Sequence, residues 1–246
     1  MDTYQPTISV IIPAFNEEQY LPRTIAAIQK AGDRLREERN QTIEIIVVDN
    51  NSLDRTKEIA TELGAKVIFE QFNNISRARN VGVSHAQGEF LAFIDADMII
   101  SDDLLCAIDA NLMDSDSVGG GTAIRPERWT VKVAIFWLVE AFMTFLFGGF
   151  PGVLHCRKKE FVDMRGFDEK YYVGEKMNFY RRLKLYGKWR SQVLKDTTNG
   201  TATVSMRAIA HNNFWTVMFT FLVLMLSPNK RVRDPRYCQM WYQPKR

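Results

Sequence analysis

Short apolar runs alternate with amphipathic segments through the first half of the chain. Nearly continuous, β-branched runs predict strands at residues 8–12, 43–48, 65–69 and 90–94. Runs of this kind are typical of parallel strands that helices cover on both faces. The segments between them predict helices over 17–38, 54–63 and 76–86, and Gly64 and Gly88 follow the last two as stop signals. This alternation predicts parallel βαβ units and an α/β fold up to about residue 125.

The strand–helix alternation fades in the second half. Ser101 is placed to cap a helix over 102–112, and the pattern further predicts a strand at 152–156 and a helix at 177–186. We see no repeat, low-complexity tract or linker, so a single domain over 1–246 is expected.

Two segments of the second half are far more apolar than the rest. Residues 133–150 contain one charged residue, Glu140, and residues 214–226 contain none. The second run is shorter than the roughly 20 residues that a membrane-spanning helix needs. Each run is either a core helix or a helix at a membrane interface. The second alternative is open because basic residues that would attract anionic lipid follow the second run: Lys230, Arg231, Arg233 and Arg236.

Polar clusters follow three of the predicted strands. Strand one leads into residues 13–17, strand two into 49–52, and strand four into Asp95-Ala96-Asp97. Ligands of open parallel sheets collect in the crevice at the carboxyl ends of the strands. We therefore expect the three clusters to face one crevice.

Asp95 and Asp97 stand one residue apart at the end of a buried strand. Two carboxylates in this position repel each other unless a divalent cation that prefers oxygen ligands lies between them. Such a cation neutralises the charge that develops on a diphosphate leaving group. The alternative is that these aspartates only cap a helix or bend a loop, as aspartates often do.

The remaining candidates also have two interpretations. Asp49 and Asn50 can pair with a base or with ribose hydroxyls, or they can belong to the cap of the next helix together with Asn51, Ser52 and Asp54. Arg77 and Arg79 open the third helix, where they either reach a diphosphate or form a solvated helix face.

Composition excludes several classes. The 32 basic and 29 acidic residues give a net charge of +3, which does not indicate a nucleic-acid-binding protein. Three distant cysteines imply neither a disulfide framework nor a CxxC site, and no signal peptide is evident, so a cytoplasmic location is expected, with binding to the inner face of the membrane left open. The loop after strand one lacks the GxGxxG of dinucleotide-dependent enzymes and the Gly-rich basic loop of sugar-1-phosphate nucleotidyltransferases.

Four ordered motifs resemble those of a known enzyme family. ISVIIPAFNEE, IIVVDNNSLDRT, SRARNVGVSHAQGEFLAFIDADM and RGFDEKYYVGEKMNFYRRLKLYGKW are similar to the successive signatures of family 2 of the glycosyltransferases, inverting enzymes with an A-type fold. The resemblance covers about residues 7–190. It implies a nucleotide-sugar-binding half over about 7–125, with helices on both faces of a mostly parallel sheet, and a helix-rich acceptor half over about 126–246.

The resemblance also implies roles for individual residues. A nucleoside-diphosphate-sugar, by default a UDP-sugar, would be lined by the residues after strands one and two: Pro13, Ala14, Glu17, Asp49 and Asn50. Arg79 would approach the diphosphate or ribose, Asp95 the ribose or metal, and Asp97 a divalent Mn²⁺ or Mg²⁺.

The chain departs from the family pattern at its catalytic acid pair. The pair falls on Glu175-Lys176, so Glu175 is the acid left to act as base, while Lys176 becomes a candidate contact for phosphate or acceptor. Further along, Arg207 and His211 lie where related enzymes sometimes supply a phosphate or metal ligand. A degenerate nucleotide-sugar or glycan binding module remains the alternative to an enzyme.

Single transfer is expected rather than polymerisation. The Gln-x-x-Arg-Trp signature of the family's processive synthases is absent from the sequence. The two apolar runs and the basic tail favour a lipid-linked acceptor, with a glycan as the other class.

Overall fold

A computed structural model describes residues 6–147, 151–207, 213–226 and 233–234 of the chain. Its strands are β1 (Ile8–Ala14), β2 (Ile43–Asp49), β3 (Lys66–Phe69), β4 (Phe90–Phe93), β5 (Met98–Ile100), β6 (Ser117–Gly120), β7 (Thr122–Pro126), β8 (Leu154–Arg157), β9 (Val193–Leu194) and β10 (Thr197–Val204). Its helices are α1 (Leu21–Arg39), α2 (Thr56–Glu62), α3 (Ile75–Ser84), α4 (Leu104–Met113), α5 (Val131–Phe147), α6 (Lys158–Asp163), α7 (Glu175–Trp189) and α8 (Phe214–Leu226).

A seven-stranded sheet in the order β3-β2-β1-β4-β8-β6-β9 forms the centre of the described chain. β1 pairs in parallel with β2 and β4, β2 with β3, and β6 with β9, whereas β8 runs antiparallel to both of its neighbours. The α/β class with a mostly parallel sheet, predicted from the apolar runs, is confirmed.

Apolar clusters cover both faces of this sheet. Val10 and Ile12 of β1 pack in a cluster with residues of α1 and α4, while Ile11, which points the other way, packs with residues of α3, α6 and α7. This alternation follows from the two-residue period of a strand. Helices on both faces therefore fix the sheet and leave its carboxyl edge free for a site.

A small sheet in the order β5-β10-β7 lies beside the main one and was not anticipated. β5 directly follows Asp97, and Met98 pairs with Val204 of β10. β10 reads TTNGTATV, which lacks an apolar alternation and contains Gly200 at a φ of 86°. Tertiary pairing, rather than local pattern, defines this strand.

Two predicted helix starts need correction. α1 begins at Leu21 rather than near Glu17, because Pro22 occupies its first turn and the Leu21 N–H already bonds the Glu17 carbonyl at 2.9 Å. Ser101 does not cap α4 with its side chain; its Oγ accepts from the Thr201 N–H at 2.9 Å and ties β10 to this helix.

The two most apolar segments form helices α5 and α8. They pack on each other through Val133, Phe214, Val217 and Met218, in a cluster distinct from those on the two faces of the sheet. Within the described residues, no helix is both long enough and apolar enough to span a bilayer.

Candidate active site

The predicted polar clusters lie along one edge of the main sheet. Ala14 and Asp49 are register partners at the ends of β1 and β2, and Asp95 follows the end of β4, on the other side of β1. Neighbouring strands lie about 4.8 Å apart. The three strand ends therefore meet within the span of one nucleotide-sized ligand.

The loops after β1 and β2 are bonded to each other. The Asn16 N–H donates to Ser52 Oγ at 3.0 Å, and the Leu53 N–H donates to Asn16 Oδ1 at 2.8 Å. Asn16 has a left-handed backbone, with a φ of 55°, a conformation that asparagine tolerates. The Glu17 N–H donates to Thr56 Oγ1 at 2.8 Å. These reciprocal bonds hold the floor of the crevice in one shape.

Asp49 and Asn50 are both buried, but their side chains have different surroundings. Asp49 Oδ1 accepts from the Ser52 N–H at 3.0 Å, which shapes the turn. In the amide orientation that satisfies both ends, Asn50 donates to the Phe72 carbonyl at 2.6 Å and accepts from the Asn74 N–H at 3.1 Å. Asn50 thus braces the segment that leads into α3.

Arg79 is the central buried cation of the site, with a side chain that is 0% exposed. Its Nη2 donates to Asp95 Oδ1 at 2.6 Å, and its Nη1 donates to Glu175 Oε1. The guanidinium also lies over the Phe167 ring, 5.5 Å from the centroid. A buried arginine needs such partners, because an isolated buried charge is strongly destabilising. Arg79 thereby fixes the start of α7 against the end of β4.

Lys176 binds the other side of Asp95. Its Nζ donates to Asp95 Oδ2 at 2.7 Å and to the Gly152 carbonyl at 2.9 Å. Burial opposes ionisation of Asp95, but the charges and hydrogen bonds of Lys176 and Arg79 outweigh it and lower the pKa of this carboxyl to about 2. Asp95 is therefore ionised, and each of its oxygens is bound to a cationic side chain.

Arg207 joins the other two acids of the site. It donates to Glu17 Oε2 at 2.6 Å and makes a second contact with Glu17 Oε1, while its Nε lies 3.4 Å from Asp97 Oδ2. Ser205 Oγ donates to the same Asp97 oxygen at 2.6 Å. Burial raises the pKa values of both Glu17 and Asp97, and Arg207 counteracts that rise. Its guanidinium also lies 4.7 Å from the Tyr20 ring centroid.

Of the acids just described, Asp97 is the one available to bind a divalent cation. Among the described residues, no group of three or more His, Cys, Asp and Glu side chains is arranged to hold a metal. Asp95 is occupied at both oxygens, and Glu17 is paired with Arg207. Mg²⁺ and similar ions often use one or two carboxylates and take their other ligands from substrate phosphates and water. Asp97 is the carboxylate that fits this role.

Several residues of this edge were not singled out from the sequence. Asp196, which follows β9, accepts from the Tyr180 hydroxyl at 2.8 Å and from the Gly121 N–H at 2.7 Å. Tyr180 lies one helical turn after Lys176, on the same face of α7. The spacing of Lys176 and Tyr180 was visible in the sequence, but the approach of Asp196 depends on the pairing of β9 with β6.

Arg77, the other candidate on α3, lies apart from this cluster. Arg77 forms ion pairs with Glu70 at 2.9 Å and with Glu169 at 3.6 Å. His155 is fully buried on β8, where desolvation lowers its pKa to about 4. His211 lies outside the described residues.

Solved structures share this fold. S. aureus TarS, residues 1–349, has a TM-score of 0.62 with 19% identity, covering 95% of this chain and 69% of that one. Glucosyl-3-phosphoglycerate synthase from Mycobacterium tuberculosis, in complex with phosphoglyceric acid, has a TM-score of 0.54 with 16% identity, covering 89% of this chain and 80% of that one. At these identities the likeness shows the fold alone, and the expected A-type architecture is confirmed.

Curated relatives match about two fifths of the chain. A 4,4'-diaponeurosporenoate glycosyltransferase from Staphylococcus haemolyticus is 38% identical over 104 residues, which are 39% of this chain and 26% of that protein. An uncharacterized glycosyltransferase from Haemophilus influenzae is 33% identical over 106 residues, 41% of this chain and 40% of that protein. The match spans less than half of the length of either relative.

A family model matches more of the chain than these curated relatives do. The model described as glycosyl transferase family 2 matches residues 9–150, more than half of the chain, and includes the ends of β1, β2 and β4 with Asp95 and Asp97. The family expected from the four motifs is thereby confirmed. The chain belongs to family 2 of the glycosyltransferases, a family of enzymes.

Proposed function

We propose that this glycosyltransferase moves one sugar from a nucleoside-diphosphate-sugar to a hydroxyl acceptor, with inversion at the anomeric carbon. The observation that carries the proposal is the position of Asp95 and Asp97 at the carboxyl edge of the sheet. Asp95 is bonded to Arg79 and Lys176, and Asp97 forms an ion pair with Arg207 at 3.4 Å. This edge is where open parallel sheets bind nucleotides.

The nucleoside would lie over the ends of β1 and β2. Pro13 and Ala14, the last two residues of β1, would border it, and Asp49 offers a carboxylate whose Oδ1 is already oriented by the Ser52 N–H. Asn50 would act mainly by bracing the crevice wall. S. aureus TarS, which shares the fold, has been solved in complex with UDP and with UDP-GlcNAc, and this supports UDP as the default nucleotide.

The charge of the site supports a divalent cation. The cations Arg79, Lys176 and Arg207 face four acids, Glu17, Asp95, Asp97 and Glu175, which leaves one formal negative charge before an anionic diphosphate enters. Additional positive charge is needed to bind it. Asp97 would hold Mn²⁺ or Mg²⁺, with Asp95 next to it and with His211, from the sequence, as a further candidate ligand. When bound, the ion supplies Lewis-acid stabilisation of the leaving diphosphate.

Glu175 is the proposed proton acceptor. Inverting transfer needs a carboxylate that takes the proton of the attacking hydroxyl. Arg79 holds Oε1 of Glu175 and so fixes the direction of the second oxygen, Oε2, which would receive the proton. Lys176, anchored on Asp95 and the Gly152 carbonyl, would orient the diphosphate or an anionic acceptor group. Arg207 is the corresponding candidate on the Glu17 side.

The acceptor would be a glycan or a lipid-linked hydroxyl compound. Single transfer is proposed because the processive signature is absent from the sequence. We place the enzyme in the cytoplasm, as a peripheral protein of the inner membrane face, and we assign it no nucleic-acid partner.

A binding module without turnover is the competing function. Lys176 favours it, because a lysine stands where the family pattern has an acid. In that case the buried Glu175–Arg79–Asp95 network would be a structural remnant. A sugar-1-phosphate nucleotidyltransferase is less consistent with residues 13–17, which contain neither glycine nor a basic side chain.

Nucleotide release from purified protein separates these functions. The protein is incubated with UDP- and GDP-sugars and Mn²⁺, and both binding and slow donor hydrolysis are measured. The proposal expects hydrolysis that Asp97→Ala removes, and a product of inverted anomeric configuration by NMR once an acceptor is found. Binding without hydrolysis, unchanged by Glu175→Gln, would establish the binding module instead.

A further inference from the structure

Helices α5 and α8 present large apolar side chains to solvent. On α5 these are Val131, Ile135, Leu138 and Phe142, with exposed fractions of 78%, 44%, 73% and 60%. Their spacing of four, three and four residues places them on one helix face. On α8, Trp215 is 73% exposed and Phe219 is 68% exposed, one turn apart. We call these six residues the apolar face.

The contacts between the two helices do not cover this face. Their inner sides already pack together through Val133 and Val217, and the rings of Phe136 and Phe221 lie 5.1 Å apart. The apolar face is what remains after that packing. Exposed apolar patches formed by several large side chains mark interaction surfaces more often than they occur by accident.

Basic residues lie beside the apolar face. Arg125, Arg128 and Lys132 are exposed at and before the start of α5. Glu127, the acid among them, is engaged by Arg23 at 2.9 Å. The sequence that follows α8 is also basic and contains Lys230, Arg231 and Arg236. An apolar surface with a basic rim matches the chemistry of an anionic phospholipid bilayer.

We propose that the apolar face is a membrane-docking surface that inserts into the interface of an anionic bilayer. The exposed indoles of Trp129 and Trp215, which are 64% and 73% exposed, suit that depth because they are apolar with one polar N–H. A second copy of the chain fits the surface less well. Isologous pairing would bring two basic rims together, whereas anionic lipid neutralises them.

The docking surface is joined to the active site through one segment. Met206 packs against the α5–α8 cluster, and the next residue, Arg207, is bonded to Glu17 beside Asp97. A bilayer at the apolar face would therefore lie next to the segment that closes the cation side of the crevice. If the proposed transfer function holds, the acceptor is a lipid-linked molecule that reaches the site from the membrane surface.

Vesicle flotation tests this proposal on the full chain. Vesicles of phosphatidylcholine alone are compared with vesicles that also contain phosphatidylglycerol. We expect the protein to float with the anionic vesicles, and the double variant Leu138→Glu/Phe219→Glu to lower its bound fraction about tenfold or more. The matched control Leu185→Glu/Trp189→Glu changes two residues of α7 that are 69% and 84% exposed, and it should float like the unmodified protein.

A separate variant tests the basic residues beside the apolar face. Arg128→Glu/Lys132→Glu should remove the preference for anionic vesicles, because it reverses the charge beside an intact apolar face. Circular dichroism and thermal unfolding of every variant establish that a loss of flotation is not a loss of folding.

Three outcomes overturn the proposal. The protein stays soluble with both lipid types; the α5–α8 variant floats as well as the α7 control; or the lipid-free protein is a dimer that Leu138→Glu/Phe219→Glu makes monomeric, which assigns the face to a second copy. Donor hydrolysis on the same samples separates this proposal from the transfer function. Hydrolysis without flotation refutes only the docking surface, and flotation without hydrolysis refutes only the transfer function.

Discussion

The ammonium group of Lys176 lies 2.7 Å from Oδ2 of Asp95, and Arg79 occupies the other oxygen of that carboxylate at 2.6 Å. The family pattern has a second acid at the position of Lys176. In this chain that position instead supplies a cation to Asp95, the first acid of the strand-end pair. The pKa of Asp95, lowered to about 2, means that this carboxylate stays ionised at every pH at which the enzyme would work.

Replacing Lys176 tests this relationship. Lys176→Met leaves one more uncompensated negative charge where the diphosphate is proposed to bind, so the Kd for UDP with Mn²⁺ should rise about tenfold, which corresponds to about 1.4 kcal/mol. Lys176→Arg should keep most of the affinity. Isothermal titration calorimetry measures both, with Lys184→Met, an exposed lysine on the same helix, as control. An unchanged Kd in Lys176→Met would exclude Lys176 from donor binding.

Glu175→Gln separates binding from chemistry. The amide keeps the shape of the side chain but cannot accept the proton, so donor binding should persist while kcat falls by at least about 10²-fold. Steady-state kinetics gives kcat, and calorimetry on the same preparation gives the Kd of the donor. Glu37→Gln, on the exposed surface of α1, is the control. If kcat is unchanged, Asp196, an acid at this edge that is bonded to Tyr180 of the same helix, becomes the residue to replace.

Much of the fold and part of the site were predictable from the sequence. The runs that form β1, β2 and β4 are continuous and apolar because helices cover both faces, and the polar residues after them necessarily meet at one edge. The bond from Arg207 to Glu17 joins residues 190 positions apart and depends on β10, whose polar sequence carries no strand signal. Pairings of that kind arise from tertiary structure and have no local pattern.

Arg207 is predicted to compete with a metal ion. It is bonded to Glu17 and lies 3.4 Å from Asp97, so Arg207→Met should free two acids and tighten Mn²⁺ binding in the absence of nucleotide. Turnover should fall, because the proposed phosphate contact is lost. Calorimetric titration with Mn²⁺ measures the first effect, and Arg23→Met, which alters a surface ion pair, is the control. Equal Mn²⁺ affinities in the two variants would contradict this competition.

His155 makes the folded state sensitive to acid. Its pKa is lowered from 6.5 to about 4 by burial, so the unfolded chain binds a proton first as the pH falls. The stability linked to this histidine is complete above about pH 6.5 and is lost toward pH 4, by about 3 kcal/mol. The free energy of unfolding, measured with urea across this pH range, should depend less steeply on pH in His155→Asn than in the unmodified protein. If the free energy of unfolding has the same pH dependence in both proteins, His155 is not the source of the acid sensitivity.

The central claim is that the edge formed by β1, β2 and β4 binds a nucleoside diphosphate together with a divalent cation at Asp97. Thermal unfolding with a panel of nucleoside diphosphates, with and without Mn²⁺ or Mg²⁺, tests it most directly. A ligand at 100 times its Kd adds about 2.7 kcal/mol, which in a chain of this size raises Tm by about 5–10 °C. We predict such a rise for at least one nucleotide with the metal, a much smaller rise without it, and no more than that metal-free rise in Asp97→Ala. No rise with any nucleotide, or the same rise in Asp97→Ala, would contradict the account.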